Sequence, residues 1–129
     1  MMPEDYELVV IGAGPAGMEA AISASESGVK TAIVEGLPLV GGQYYRRLPA
    51  PFAPSRLTPA GQQGEALIQR LESTLTAKYN DALAWGLFED RAQQGWLVAL
   101  EGSGSPAWLH ARTLVIAAGA YDTPVAFPG

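Results

Sequence analysis

Apolar positions along this chain change spacing several times, and each change predicts an element. Leu8 to Ile11 is a short apolar run rich in β-branched residues, the pattern of a parallel strand buried on both faces. A helix is expected from Pro15 to about Ser27, closed by Gly28 as a residue just past a helix end. Lys30 to Val34 reads as a second strand. Leu48 to Pro59 holds Pro49, Pro51, Pro54 and Pro59 and reads as an irregular connector. From Gly64 to Tyr79, Leu67, Ile68, Leu71 and Leu75 recur at helical spacing, with Glu65, Gln69, Arg70 and Glu72 opposite them. That predicts a crossover helix whose apolar stripe is core. Ala82 to Gly86 reads as a third parallel strand. Leu87 to Ala92, Trp96 to Glu101 and Trp108 to Arg112, separated by turn signals, read as a three-stranded antiparallel meander. Thr113 to Ala117 is again apolar and returns to the parallel sheet. The fold class that follows is α/β, a Rossmann-like parallel sheet of about four strands in the order 3-2-1 with the last beside the first, plus the small meander.

Between the first strand and the first helix stand Gly12, Gly14 and Gly17, spaced G-x-G-x-x-G. Gly12 permits a tight turn out of the strand. Gly14 lets backbone N–H groups approach a diphosphate, and Gly17 lets the helix sit close on the sheet. Pro15 suits a first helical turn, where its missing N–H has no partner to lose. No acid precedes Glu19 in that helix, so its positive end is free for an anion. Glu35, at the tip of the second strand, has the spacing at which a carboxylate accepts both hydroxyls of an adenosine ribose. It would repel a 2′-phosphate, which argues against NADP here. The competing reading is a glycine-rich turn that binds nothing.

Further on, Gly41 and Gly42 offer a second place where backbone could lie against a ligand, and Gln43 adds an amide. Tyr44 to Arg47 also fits a plain aromatic and basic edge. Ala118-Gly119-Ala120 is another small-residue turn at the end of a strand, the edge where ligands collect on an open α/β sheet. His110, the one histidine, reads as a packing or surface residue, and Trp85, Trp96 and Trp108 as core or meander packing. No Ser/His/Asp group, metal-ligand cluster or carboxylate pair stands out.

Composition narrows the class. The 129 residues are 48% hydrophobic and 16% charged, as in a well-buried domain. A net charge of −5 argues against nucleic acid or an anionic membrane as partner. No apolar run approaches the ~20 residues that span a bilayer, and no signal peptide is expected at the N-terminus. The absence of cysteine removes disulfides, a CxxC pair and a cysteine-held cluster, and makes a cytoplasmic location the default.

In this order, Gly12-x-Gly14-x-x-Gly17, Glu35, Gly41-Gly42-Gln43, crossover helix, meander and Thr113-Leu-Val-Ile-Ala-Ala-Gly119 resemble the FAD domain of the two-dinucleotide-binding-domain flavoproteins, the pyridine nucleotide–disulfide oxidoreductase-like enzymes. More narrowly, Gly41 to Arg47 and Ala118 to Gly129 are similar to the opine oxidase, hydrogen cyanide synthase and sarcosine oxidase-type amine dehydrogenases. The sequence departs from that pattern at Ala118, where threonine is common, and at Thr123, where a basic residue often stands. The resemblance implies that Gly12, Ala13, Gly14, Pro15, Ala16 and Gly17 surround the FAD diphosphate. Glu35, with Gly36 beside it, would hold the adenosine ribose. Gly42 and Gln43 would run towards the flavin, the backbone near Leu87 would meet the adenine, and Ala118 and Gly119 would close the pocket.

Residues 1–129 would then be the N-terminal portion of an FAD domain, without the NAD(P) domain that follows in such enzymes. The implied function is the FAD-binding part of an oxidoreductase that takes hydride from the carbon beside an amine nitrogen, or exchanges it with NAD(P)H, in the full enzyme. Further domains or subunits of that enzyme are the expected partners. The chain alone is not expected to be active, no catalytic residue is assigned, and apolar surface left uncovered would favour oligomerisation. Two other classes stay open: part of an NAD-linked dehydrogenase, and a non-catalytic nucleotide-binding or assembly module.

Overall fold

The computed structural model describes residues 2–102, 104–120 and 123–128. Strand β1 (Glu4–Ile11) leads through the glycine turn into helix α1 (Pro15–Glu26), and β2 (Thr31–Val34) follows. A single 3-10 turn at Ala50–Phe52 interrupts the proline-bearing connector, which ends in helix α2 (Pro59–Glu72). The remaining strands are β3 (Ala77–Tyr79), β4 (Ala82–Asp90), β5 (Gly95–Gly102) and β6 (Trp108–Ile116). They form one sheet in the order β3-β2-β1-β6-β5-β4. Pairing is parallel from β3 to β6 and antiparallel from β6 to β4.

The expected order 3-2-1 with the last strand beside the first is present, with three changes of assignment. The third parallel strand is Ala77–Tyr79, paired to β2 as Ala32↔Ala77 and Val34↔Tyr79. Ala82–Gly86 instead begins β4, antiparallel to β5. The segments expected as a meander strand and a separate parallel strand are one strand, β6. Its first half pairs with β5 while its whole length runs beside β1.

Helix α2 begins and ends earlier than its apolar stripe suggested. Thr58 caps it by accepting the Gly61 N–H at 3.1 Å, and Pro59 occupies the first turn, so this proline starts a helix rather than prolonging a loop. Leu67, Ile68 and Leu71 are buried as expected, but Leu75 lies past the helix end and is 98% exposed. Helix α1 stops as read: Gly28 has φ +83°, the Val29 N–H reaches the Ala24 carbonyl and the Gly28 N–H the Ser25 carbonyl. Those two bonds make a Schellman closure.

Burial on both faces of the parallel strands holds the fold together. Val10 and Ile33 pack under Met18 and Ile22 of α1 and Leu71 of α2. On the opposite face Tyr6, Val9 and Val34 join Ala82, Val98, Leu100 and Leu109. Residues from β2 and β4, far apart in strand order, therefore share one cluster, so the sheet curls and its inner face closes on itself. Adjacent Val9 and Val10 serve different cores, as a strand's alternation requires. The tryptophans are not core. Trp85, Phe88 and Trp108 pack against one another on the outer meander face, ring centroids 5.9–6.2 Å apart, and Trp85 is 57% exposed.

Candidate functional site

The parallel strands end together, and the glycines govern how closely their ends approach. The Gly12 N–H donates to the Val34 carbonyl at 2.8 Å, and the Ala117 N–H to the Ile11 carbonyl at 2.8 Å, lacing the tips of β1, β2 and β6. Gly12 has φ +101°, and a Cβ there would overlap the Ala117 carbonyl oxygen. A Cβ at Gly17 would overlap the Gly12 carbonyl oxygen, so α1 can start this close to the sheet only with glycine at that position. Gly42, at φ +64°, would bring a Cβ to 2.7 Å from the Gly14 Cα. The Gly41 N–H donates to the Ala13 carbonyl at 2.8 Å, so the Gly41–Gly42 turn is pinned across the start of α1.

These contacts enclose a cavity of about 640 Å³ at the C-terminal edge of the sheet. One wall is the start of α1. Gly14 is extended there, with no side-chain cap and no acid in the first turn, so the leading N–H groups face the cavity without a side-chain partner. Beside it stands Glu35, whose Oε2 accepts the Ala13 N–H at 2.8 Å and whose Oε1 accepts the Leu37 N–H at 3.0 Å. Both bonds fix the carboxylate at the rim and leave lone pairs on each oxygen for further donors.

Of the residues singled out from sequence, Gly12, Ala13, Gly14, Pro15, Ala16, Glu35, Gly36, Gly42, Gln43, Ala118 and Gly119 line this one cavity. Gly17 is buried behind it. Leu87 does not line it: it packs against the inner cluster, and Ala82, Leu83 and Ala84 form that wall. The reason is the reassigned strand. The Ala82 N–H donates to the Glu35 carbonyl at 3.0 Å, so the chain meets the cavity at the start of β4, before Leu87. Leu37, Tyr44, Arg46, Ala117 and Ala120 also line it. Tyr44 and Arg46 were visible in sequence only as an aromatic and basic edge. Tyr121, Asp122 and Gly129 of the closing segment lie outside the described residues.

His110 sits towards the other end of β1, in register with Asp5, and its Nδ1 is 2.9 Å from Asp5 Oδ1. It is buried, with Asp90 Oδ2 4.0 Å from its Nε2. Tertiary structure thus gives it acidic neighbours that the sequence does not show, but none within the cavity. A second polar cluster crosses the inner face. The Tyr79 and Tyr6 hydroxyls both donate to Glu4 Oε2, at 2.7 and 3.0 Å, and touch each other. Burial pushes both phenols up, most strongly Tyr79, while the bond from Tyr79 lowers the Glu4 carboxyl.

A glycine turn on a helix N-terminus, an acid at the tip of the next strand and a cavity at the sheet's C-terminal edge define a dinucleotide-binding protein of the Rossmann type. The chain belongs to the FAD dependent oxidoreductase family, whose profile matches residues 7–115. It is 35% identical over 130 residues to an opine oxidase subunit of Agrobacterium tumefaciens, covering 96% of this chain and 26% of that protein. It is 31% identical over 130 residues to the hydrogen cyanide synthase subunit HcnB of Pseudomonas protegens, covering 94% and 26% respectively. The chain thus spans about a quarter of these relatives' length. Among solved structures, L-proline dehydrogenase from P. horikoshii shares the fold with a TM-score of 0.75 at 24% identity, over 97% of this chain and 25% of that one. Family membership implies FAD as the cofactor, and the cavity fits it: the start of α1 has no side-chain cap, and glycine at position 42 lets that turn lie on Gly14 with no Cβ in the way. No helix among the described residues is long and apolar enough to cross a membrane.

Proposed function

We propose that residues 1–129 form the FAD-binding part of an oxidoreductase acting on an amine- or amino-acid-type substrate in the full enzyme, in the cytoplasm. The observation that carries this is the meeting of three features on one cavity: the uncapped start of α1, the Gly42 backbone laid on Gly14, and the doubly anchored Glu35. The N–H groups beginning α1 would receive the diphosphate, with Gly12 to Gly17 shaping the approach. Glu35, beside Gly36, would accept the ribose hydroxyls. Gly42 and Gln43 would line the path towards the flavin, and Ala118 and Gly119 the closing side. Bound FAD supplies the hydride-accepting ring, and this chain's residues hold and orient it and exclude water from the diphosphate. The name of the opine oxidase relative supports an amine-type substrate, and the word subunit in both relatives' names supports an assembly with further subunits. Exchange with NAD(P)H would draw on parts of the enzyme outside these residues.

The test is an absorbance and fluorescence titration of the purified chain with FAD, with NAD and ADP as competitors. Saturable FAD uptake that excess NAD does not displace is expected. Uptake of NAD in preference to FAD would move the chain to the dehydrogenases. Equal uptake of ADP and FAD would make it a site for the adenine half alone.

A further inference from the structure

Between the Gly42 turn and the first half of α2 lies a second cavity, of about 380 Å³. Leu48, Ala53, Leu57 and Ile68 give it an apolar lining, and its walls also carry Arg46 and Arg47. The two arginines differ in what remains of their charge. Arg47 Nε lies 3.1 Å from Glu65 Oε1, and its Nη2 donates to Glu65 Oε2 at 3.4 Å. Glu65 is the one carboxylate on this cavity's wall among the described residues, so that pair cancels. Arg46 forms no ion pair among the described residues. Among the described residues, an apolar hollow with one positive charge outside any ion pair is thus built into a chain whose net charge is −5. Tyr44 and Arg46 line both cavities, so the second shares a wall with the first.

We infer that this second cavity is a binding site for a small organic carboxylate with an aliphatic body. Arg46 takes the carboxylate, since a guanidinium fork matches its two oxygens in a plane. Leu48, Ala53, Leu57 and Ile68 take the hydrocarbon. The volume lies within the roughly 300–1,000 Å³ of small-molecule sites. A place beside bound FAD, and with it a role in presenting an amino-acid-type substrate, rests on the function proposed above. Carboxylate binding itself does not.

The probes are hexanoate, norleucine and the uncharged hexanamide, titrated into the chain while the methyl resonances of Leu57 and Ile68 are followed. Hexanoate or norleucine should shift these methyls saturably, with hexanamide at least tenfold weaker. Tighter norleucine marks an amino-acid site and tighter hexanoate a plain organic-acid site, and either supports the inference. Arg46→Gln should weaken the carboxylate at least tenfold. Ala53→Phe, which fills the hollow and keeps the arginine, should abolish the shifts. Equal binding of hexanamide, or no effect of Arg46→Gln, overturns the inference. So does an Arg46→Gln variant that loses FAD and keeps hexanoate, because the arginine then serves the cofactor. If wild type takes up no FAD, the FAD reading fails alone, and the hexanoate titration still decides this one.

Discussion

Glu35 does two jobs with one carboxylate: it ties the glycine turn to the tip of β2, and it faces the cavity. Glu35→Gln keeps the shape but leaves one of the two backbone N–H groups facing an amide NH₂. We expect FAD affinity to fall about tenfold, about 1.4 kcal/mol, by fluorescence titration, with thermal stability of the FAD-free chain falling as well. The Glu4–Tyr6–Tyr79 cluster makes a separate prediction about pH. Both phenols titrate above the ordinary tyrosine value of 10.0 in the folded chain. Their contribution is therefore whole below about pH 10 and is lost as pH rises beyond it, where the unfolded chain ionises first. Glu4 is lowered from its ordinary 4.5, so its contribution is present above that pH and lost as pH falls through the folded value. Tyr79→Phe should flatten both arms of the urea midpoint against pH. Unchanged alkaline loss in that variant would assign it to other groups.

At the scale of the element, α2 separates what spacing reveals from what it hides. Leu71 is fully buried against α1 and the sheet, whereas Leu75, one helical turn on, is almost fully exposed. Leu71→Ala should cost about 2–5 kcal/mol in chemical denaturation, and Leu75→Ala about nothing. Periodicity alone ranks the two equally, because it cannot see that the helix ends at Glu72. The glycine turn, α1 and β2 were legible because their signals are local: a two-sided apolar run, a missing Cβ where backbones meet, a glycine at a Schellman end. Strand β3 was not, since Ala77–Tyr79 is three residues long and merges with the tail of a helical stripe. That single shift moved the expected wall from Ala82–Ala84 to Leu87. Arg46 was legible as a charge but not as a wall residue, since its place depends on how the whole connector folds back on α2. Of the two places read for the tryptophans, core or meander packing, the structure gives the meander; alternation could not choose, because it tells which residues share a face, not whether anything covers it.

Across the whole molecule, the curled sheet has a closed inner face, and an outer one that α1 and α2 cover over the parallel strands but not over the meander. Trp85, Phe88 and Trp108 form a contiguous aromatic patch on the meander, with Trp85 and Phe88 both about half exposed. Uncovered patches of this kind drive association. The 129-residue chain should therefore show concentration-dependent mass by light scattering, and Trp85→Ser with Phe88→Ser should return it to monomer. A monodisperse wild-type monomer would sink that expectation.

The pairing of β1 with β6 also sets a timetable for making the molecule. Leu8 pairs with Thr113 and Ile11 with Ile116, so the first strand to leave the ribosome waits about a hundred residues for one of its two neighbours. Until then β1 carries an open, strongly apolar edge, and non-local parallel pairing of this kind is slow to form. Nascent chains stopped at Arg112 should be captured by holding chaperones or precipitate. Chains reaching Ala120 have all of β6 to zip onto β1, and should be released soluble.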